Sequence, residues 1–189
     1  QDVSLSILLA EDGRYAAATD GVDRFIHWLD NGAAADRVVL IPFAGAAGEA
    51  VLSDDYKNVL FQLYHLGQDA RYLPEGSDLP MGVDGALRVF AAARDLGPRE
   101  RVLIILSDGE EKRRYGESGS SELDVVIAAA KERGITIYTL GLGSTTGARM
   151  VLPPEKPGDA PVYVEDGSGR SVLSRLDPSD LRKLAESTG

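Results

Sequence analysis

The stretch that decides the fold is "RVLIILSDG", Arg101–Gly109. Five apolar residues run unbroken from Val102 to Leu106 and then meet Ser107, Asp108 and Gly109. A strand buried on both faces reads this way, and such strands belong to parallel sheets covered by helices on either side. In open sheets of that kind, ligands bind beyond the carboxyl ends of the strands, where strand order reverses. Asp108 stands at such an end.

Two other runs share this character: "RVVLIPF" (Arg37–Phe43) and "ITIYTLGL" (Ile135–Leu142). Between the runs, apolar residues recur at helical spacing. Ala18, Val22, Phe25, Ile26 and Leu29 mark one face, and Tyr56, Val59, Leu60 and Leu63 a second. Val83, Leu87 and Phe90 predict a helix running to about Leu96, and Leu123, Val126, Ile127 and Ala130 another. A last helix starts at Asp177 as N-cap with Pro178 at its first position. "GEAVLSDD" (Gly48–Asp55) predicts an antiparallel excursion at the sheet edge, and "VYVEDGSGRSVLSRL" (Val162–Leu176) a hairpin turning at Gly167–Gly169. Gly143–Pro161 reads as a long Gly/Pro-rich loop. Strands alternating with helices predict an α/β fold: a doubly wound, mostly parallel sheet flanked by helices.

The first thirteen residues, "QDVSLSILLAEDG", pose a problem for that fold. Such a sheet needs an apolar strand feeding the loop at Asp2, and only Gln1 stands before it. Either the first central strand is missing, or it is shifted and "VSLSILLAED" itself serves. The second alternative puts Asp12 at the strand's end and weakens Asp2, Ser4 and Ser6 as a functional pattern.

Composition narrows the function. The 189 residues carry a net charge of −10 and suit one domain over 1–189. The acidic balance (pI ≈ 4.7) disfavours nucleic acid and anionic lipid as partners. With no cysteine there is no thiolate chemistry, and two histidines are too few for a histidine metal cage. No run of about 18 apolar residues predicts a membrane span. We expect a soluble domain excised from a larger protein.

The remaining chemistry is oxygen. Asp2, Ser4 and Ser6 place a carboxylate and two hydroxyls at alternate positions, and Asp108 lies at the end of the decisive strand. A third loop, "PEGSDLPMG", offers Ser77, with Asp78 as the alternative, ahead of a helix. Hydroxyls with one or two carboxylates suit Mg²⁺, a hard cation that keeps several waters; Mn²⁺ has similar tastes. An ion held mainly by neutral ligands stays electrophilic and accepts a carboxylate from outside. The bland readings are a helix cap or turn residue at Ser77, a turn at Asp12, and a solvated loop at Gly109–Glu122.

These residues resemble the von Willebrand factor A family, whose metal-ion-dependent adhesion site uses Asp-x-Ser-x-Ser, a Thr and a distant Asp. Asp2, Ser4 and Ser6 match the first element and Asp108 the last, with Ser77 standing where the Thr is expected. "DRVVLIPFAGAA", "LSDDYKNVLFQL", "RVLIILSDGEE", "GITIYTLGLG" and "SRLDPSDLRKLAESTG" look like the bacterial Bat-type (aerotolerance-related) subgroup. The resemblance implies a non-catalytic, divalent-metal-dependent interaction module that holds an acidic residue of a protein partner. It also implies a membrane-anchored parent with the domain on the extracytoplasmic side, in an assembly linked to a MoxR-type ATPase. Two other classes stay open. One is a Mg²⁺-dependent phosphoryl-transfer hydrolase with Asp2 or Asp108 as nucleophile; against it, position 4 is Ser and no basic residue follows "SDG" until Lys112. The other is a scaffold with a non-functional metal site.

Overall fold

A computed structural model describes residues 1–32, 36–69, 73–74, 76–93, 97, 99–110, 120–154, 156 and 158–189. The decisive stretch forms strand β1 (Arg101–Ser107), paired in parallel with β2 (Ile135–Gly141). Helices α2 (Arg14–Asp30), α3 (Tyr56–Asp69), α4 (Leu79–Ala92), α5 (Ser120–Glu132) and α6 (Ser179–Thr188) follow the expected order. A short helix, α1 (Leu5–Leu8), precedes them. The fold is that of the α/β class expected, with helices around a mixed, incomplete set of strands.

Two apolar cores hold the helices to the sheet. Leu79, Val83 and Leu87 of α4, Leu123 and Ala130 of α5, and Leu181 and Leu184 of α6 meet Ile105, Ile135 and Ile137 in the larger one. Ile26 and Leu29 of α2 pack on Val59, Leu63 and Leu66 of α3 in the other, with Val3 and Leu40. At roughly 1.5–3 kcal/mol per fully buried aliphatic side chain, these clusters outweigh any single polar contact in the molecule.

Several expectations are corrected. "VSLSILLAED" is not a strand: Ser4 carbonyl accepts from the N–H of Ile7 and of Leu8, so the chain coils at once into α1. The shifted-strand alternative, with Asp12 at a strand end, therefore falls. Arg37–Phe43 makes isolated bridges in place of a regular strand: Val38 pairs antiparallel with Ser53, and Phe43 parallel with Asp2. The Val38–Ser53 bridge is the edge excursion expected from Gly48–Asp55. Helix α4 ends at Ala92, with Ala93 extended, and Leu96 lies outside the described residues. Helix α6 begins at Ser179, one residue after the expected start, with Asp177 Oδ1 accepting from the Ser179 N–H at 3.0 Å.

The Gly/Pro-rich loop also carries structure. It contains β3 (Ala148–Arg149) and β4 (Val151–Leu152). The hairpin does turn as read, through an antiparallel Glu165–Ser171 bridge. Its arms, β5 (Val162–Tyr163) and β6 (Leu173–Ser174), then diverge to pair with β4 and β3 respectively. This folds Ser174 back toward the end of β1.

Candidate metal centre

Gln1–Val3 crosses between Phe43 and the end of β1. The Asp2 N–H donates to Leu106 carbonyl at 2.9 Å, and the Val3 N–H to Phe43 carbonyl at 2.9 Å. That double anchorage drops the Asp2 carboxylate beside the carboxyl end of β1, with no exposed surface. Its Oδ1 accepts from the Ser4 N–H at 2.9 Å. Its Oδ2 accepts from Ser107 Oγ at 2.6 Å and Ser77 Oγ at 3.1 Å. Ser4 and Ser6, both buried, share a hydroxyl hydrogen bond of 2.9 Å.

Asp108 is likewise fully buried. Its Oδ1 accepts from the Glu110 N–H at 3.1 Å, and its Oδ2 from Ser174 Oγ at 3.1 Å and Arg14 Nη1 at 3.2 Å. Burial and the neighbouring Asp2 carboxylate push the Asp108 carboxyl up to about 6; hydrogen bonds from Ser6, the Glu110 amide and Ser174 pull against them. Gly109 has φ +70°, and a Cβ there would lie 2.0 Å from Asp177 carbonyl. Only glycine lets the chain leave β1 at this turn and run beneath α6.

The five residues singled out from sequence thus lie in one buried polar cluster: Asp2 bonds Ser77 directly, Ser4 bonds Ser6, and Asp108 interacts with Asp2 and Ser6. Asp78 is not among them. It is the N-cap of α4, its Oδ1 accepting from the Met81 N–H at 2.9 Å. Asp12 is tied to the cluster through Arg14. Lys112 and most of the loop after Glu110 lie outside the described residues.

Three members were not foreseen. Ser107 and Ser174 are fully buried donors to Asp2 and Asp108. Arg14 is 3% exposed and spans Asp12, Asp108 and Ser174, with Asp12 Oδ2 at 2.8 Å and Ser174 Oγ at 2.8 Å from its guanidinium. It was the one legible in principle. It opens α2, where the positive end of the helix dipole disfavours a cation, so another partner had to hold it.

The donor set fits a hard divalent cation: the polar side chains supplied by the three loops are hydroxyls and two carboxylates. Among the described residues no group of three or more His, Cys, Asp or Glu side chains is placed to hold a metal ion, so any cation here would rest largely on hydroxyls.

The sequence pattern of the von Willebrand factor type A domain matches residues 2–166, and the chain belongs to that family. It is similar over 99% of its length to BatB from Bacteroides thetaiotaomicron, described as a conserved hypothetical protein. The identity is 26% and the TM-score 0.77, with 83% of that chain covered. An aerotolerance-related membrane protein from Bacteroides fragilis shares the fold: 24% identity, TM-score 0.76, 99% of this chain and 84% of that one. A comparison with curated proteins found no match. Domains of this family typically mediate protein–protein interaction, generally without enzymatic activity, and commonly bind a divalent metal. Among the described residues no helix is long and apolar enough to cross a membrane.

Proposed function

We propose that this chain is a metal-dependent protein-interaction module. In this reading Ser4, Ser6 and Ser77 ligate Mg²⁺ or Mn²⁺ directly, while Asp2 and Asp108 hold it, in part through water. The bound cation supplies a Lewis-acidic position that an acidic side chain of a protein partner completes. The observation that carries the reading is the convergence of these five oxygen-bearing side chains, all buried, from three separate loops. Burying two carboxylates side by side is costly without a cation. Arg14 offsets part of that cost from one side only, at Asp108 Oδ2. The likeness to BatB supports a Bat-type parent; in this reading that parent is anchored in a membrane with this domain on the extracytoplasmic face. A MoxR-type ATPase-linked assembly is the corresponding partner.

Arg14 also supplies the basic group beside "SDG" that a phosphoryl-transfer enzyme would need. It does not favour that alternative, because its guanidinium is buried and engaged with Asp12, Asp108 and Ser174. Calorimetric titration of Mg²⁺ and Mn²⁺ into the chain tests the proposal. One saturable site is expected, and a folded chain that binds neither ion overturns it. Hydrolysis of p-nitrophenyl phosphate that disappears in Asp108→Asn would decide for the enzyme.

A further inference from the structure

Arg14 brings a protein cation into the candidate metal centre, and its guanidinium is shared unequally between two carboxylates. Asp12 takes a forked pair, Nε to Oδ1 at 2.9 Å and Nη2 to Oδ2 at 2.8 Å. Asp108 takes a single bond, Nη1 to Oδ2 at 3.2 Å. The fork is the stronger geometry, because planar bidentate pairing engages both oxygens at once. Solvation differs as well: the Asp12 side chain is 31% exposed and reaches water, while that of Asp108 is shut off from it.

The other contacts confine the guanidinium. Nη1 also donates to Ser174 Oγ at 2.8 Å, and Nη2 to Ser174 carbonyl at 3.4 Å. The Gly143 backbone lies so close that a Cβ there would stand 2.6–2.9 Å from it. Asp108 Oδ2 accepts from both Arg14 Nη1 and Ser174 Oγ, so this oxygen is already engaged twice. A dication that draws on the same carboxylate, directly or through water, meets a positive group holding it, in a buried site where like charges repel strongly. One of the two must give ground. The single bond to Asp108 is the weaker of the two that Arg14 makes to carboxylates, and Asp12 is there to keep the charge paired.

We propose that Arg14 is a displaceable internal counterion that sets the cation affinity of the site: it competes with Mg²⁺ or Mn²⁺ for Asp108, and Asp12 retains it when the metal binds. This rests on the metal-dependent reading above and adds the regulation of that same site. Competition of this kind is reciprocal, so whatever strengthens the hold of Arg14 on Asp108 weakens the hold of the metal.

Calorimetric titration of Mn²⁺ into the parent chain, Arg14→Gln, Asp12→Asn and the double variant tests it, each chain first shown to be folded by circular dichroism. Arg14→Gln is expected to bind at least about tenfold more tightly than the parent, a gain that mere damage to the site would not produce. Asp12→Asn should bind more weakly than the parent, because the guanidinium is left with Asp108 as its carboxylate. Once Arg14 is Gln, Asp12→Asn should change nothing, since Asp12 acts through the guanidinium. Unchanged or weaker binding by a folded Arg14→Gln chain overturns the proposal, and so does an equal effect of Asp12→Asn in the two backgrounds. If the folded parent and Arg14→Gln both fail to bind, the metal reading itself falls, and the proposal with it. Should Arg14→Gln not fold, NMR of the parent decides. Mg²⁺ is then expected to speed exchange of the Arg14 Nη protons while the Nε–H, held by Asp12, stays protected. No change at the Nη protons, in a parent that calorimetry shows to bind Mg²⁺, overturns the displacement.

Discussion

Arg14 and Asp108 stand 94 positions apart in the chain, and the Arg14 Nη1 donates to Asp108 Oδ2 across 3.2 Å with both side chains shut off from solvent. This contact ties the start of α2 to the end of β1. Through Ser174 Oγ, which accepts from Arg14 and donates to Asp108, it also ties in the hairpin arm. Replacing Arg14 by Gln leaves Asp108 a buried carboxylate beside Asp2 without the cation that pairs with it among the described residues. We expect a loss of about 3 kcal/mol in urea unfolding at pH 7.5, because removing one partner strands the other's charge. Arg14→Lys keeps the charge but not the planar fork, and should recover only part. If the cluster holds a dication, millimolar Mg²⁺ should restore more stability to Arg14→Gln than it adds to the parent chain. Equal gains in both would count against the metal reading.

Stability should fall as pH rises from about 4 to 6. The Asp108 carboxyl is pushed up to about 6 by burial and by Asp2, so between its ordinary value of 3.8 and 6 the folded state holds the proton that the unfolded state has lost. Its contribution therefore falls as pH rises through that interval, by about 3 kcal/mol at most. Carboxylates held low, such as Asp166, Asp177 and Asp12, exert their effect below about pH 4 and leave the window clear. Urea unfolding at pH 4.5 and 6.5 checks the direction. Asp108→Asn should remove the fall; a parent chain equally stable at both values would refute the assignment.

Ser77 and Asp78 are adjacent but should fail differently. Asp78→Ala removes an N-cap from α4 and should cost about 1 kcal/mol of stability while leaving Mn²⁺ affinity unchanged. Ser77→Ala removes a buried donor to Asp2 and a proposed ligand, and should weaken Mn²⁺ binding at least about tenfold. Titration calorimetry alongside thermal unfolding separates the two. The converse pattern would move the ligand to Asp78.

Why the sequence disclosed some of this and hid the rest follows from which contacts are local. Asp2, Ser4 and Ser6 lie within one turn of chain, and Asp108 directly follows a strand with an unmistakable apolar run, so pattern alone located them. Ser174 could not be found that way: its place depends on β6 pairing with β3 in preference to closing the hairpin, a choice made by tertiary packing. Arg37–Phe43 reads as a full strand because its side chains suit one, yet a ladder needs neighbours along its whole length. Phe43 has Gln1–Val3 beside it, whereas Val39 lines a cavity that separates it from β1. Asp78 shows the remaining ambiguity, since a carboxylate ahead of a helix serves equally as cap or as ligand, and only the Met81 N–H decides.

Two glycines with positive φ border the cluster, and their alanine variants should differ in severity. At Gly143, φ is +96° and a Cβ would come within 2.6–2.9 Å of the Arg14 guanidinium. At Gly109, φ is +70° and a Cβ would sit 2.0 Å from Asp177 carbonyl. The backbone penalty is similar at both, about 1 kcal/mol. The difference is in what must yield. The Arg14 side chain can give way by a few tenths of an ångström, though at some expense to its bonds with Asp108 and Ser174. Asp177 carbonyl cannot, because the Asp177 N–H is bonded to Asp108 carbonyl at 2.8 Å and α6 starts two residues later. We therefore expect Gly109→Ala to cost about 3 kcal/mol or more, and to loosen α6 from β2. Gly143→Ala should cost about half that and act mainly on Asp108. Thermal unfolding gives the order, and amide exchange at Ile137, whose N–H is capped by Thr188 Oγ1 of α6, gives the location. Exchange at Ile137 should quicken in Gly109→Ala and stay unchanged in Gly143→Ala; the reverse would mean that Arg14, and not the turn at Gly109, carries the link between the site and the last helix.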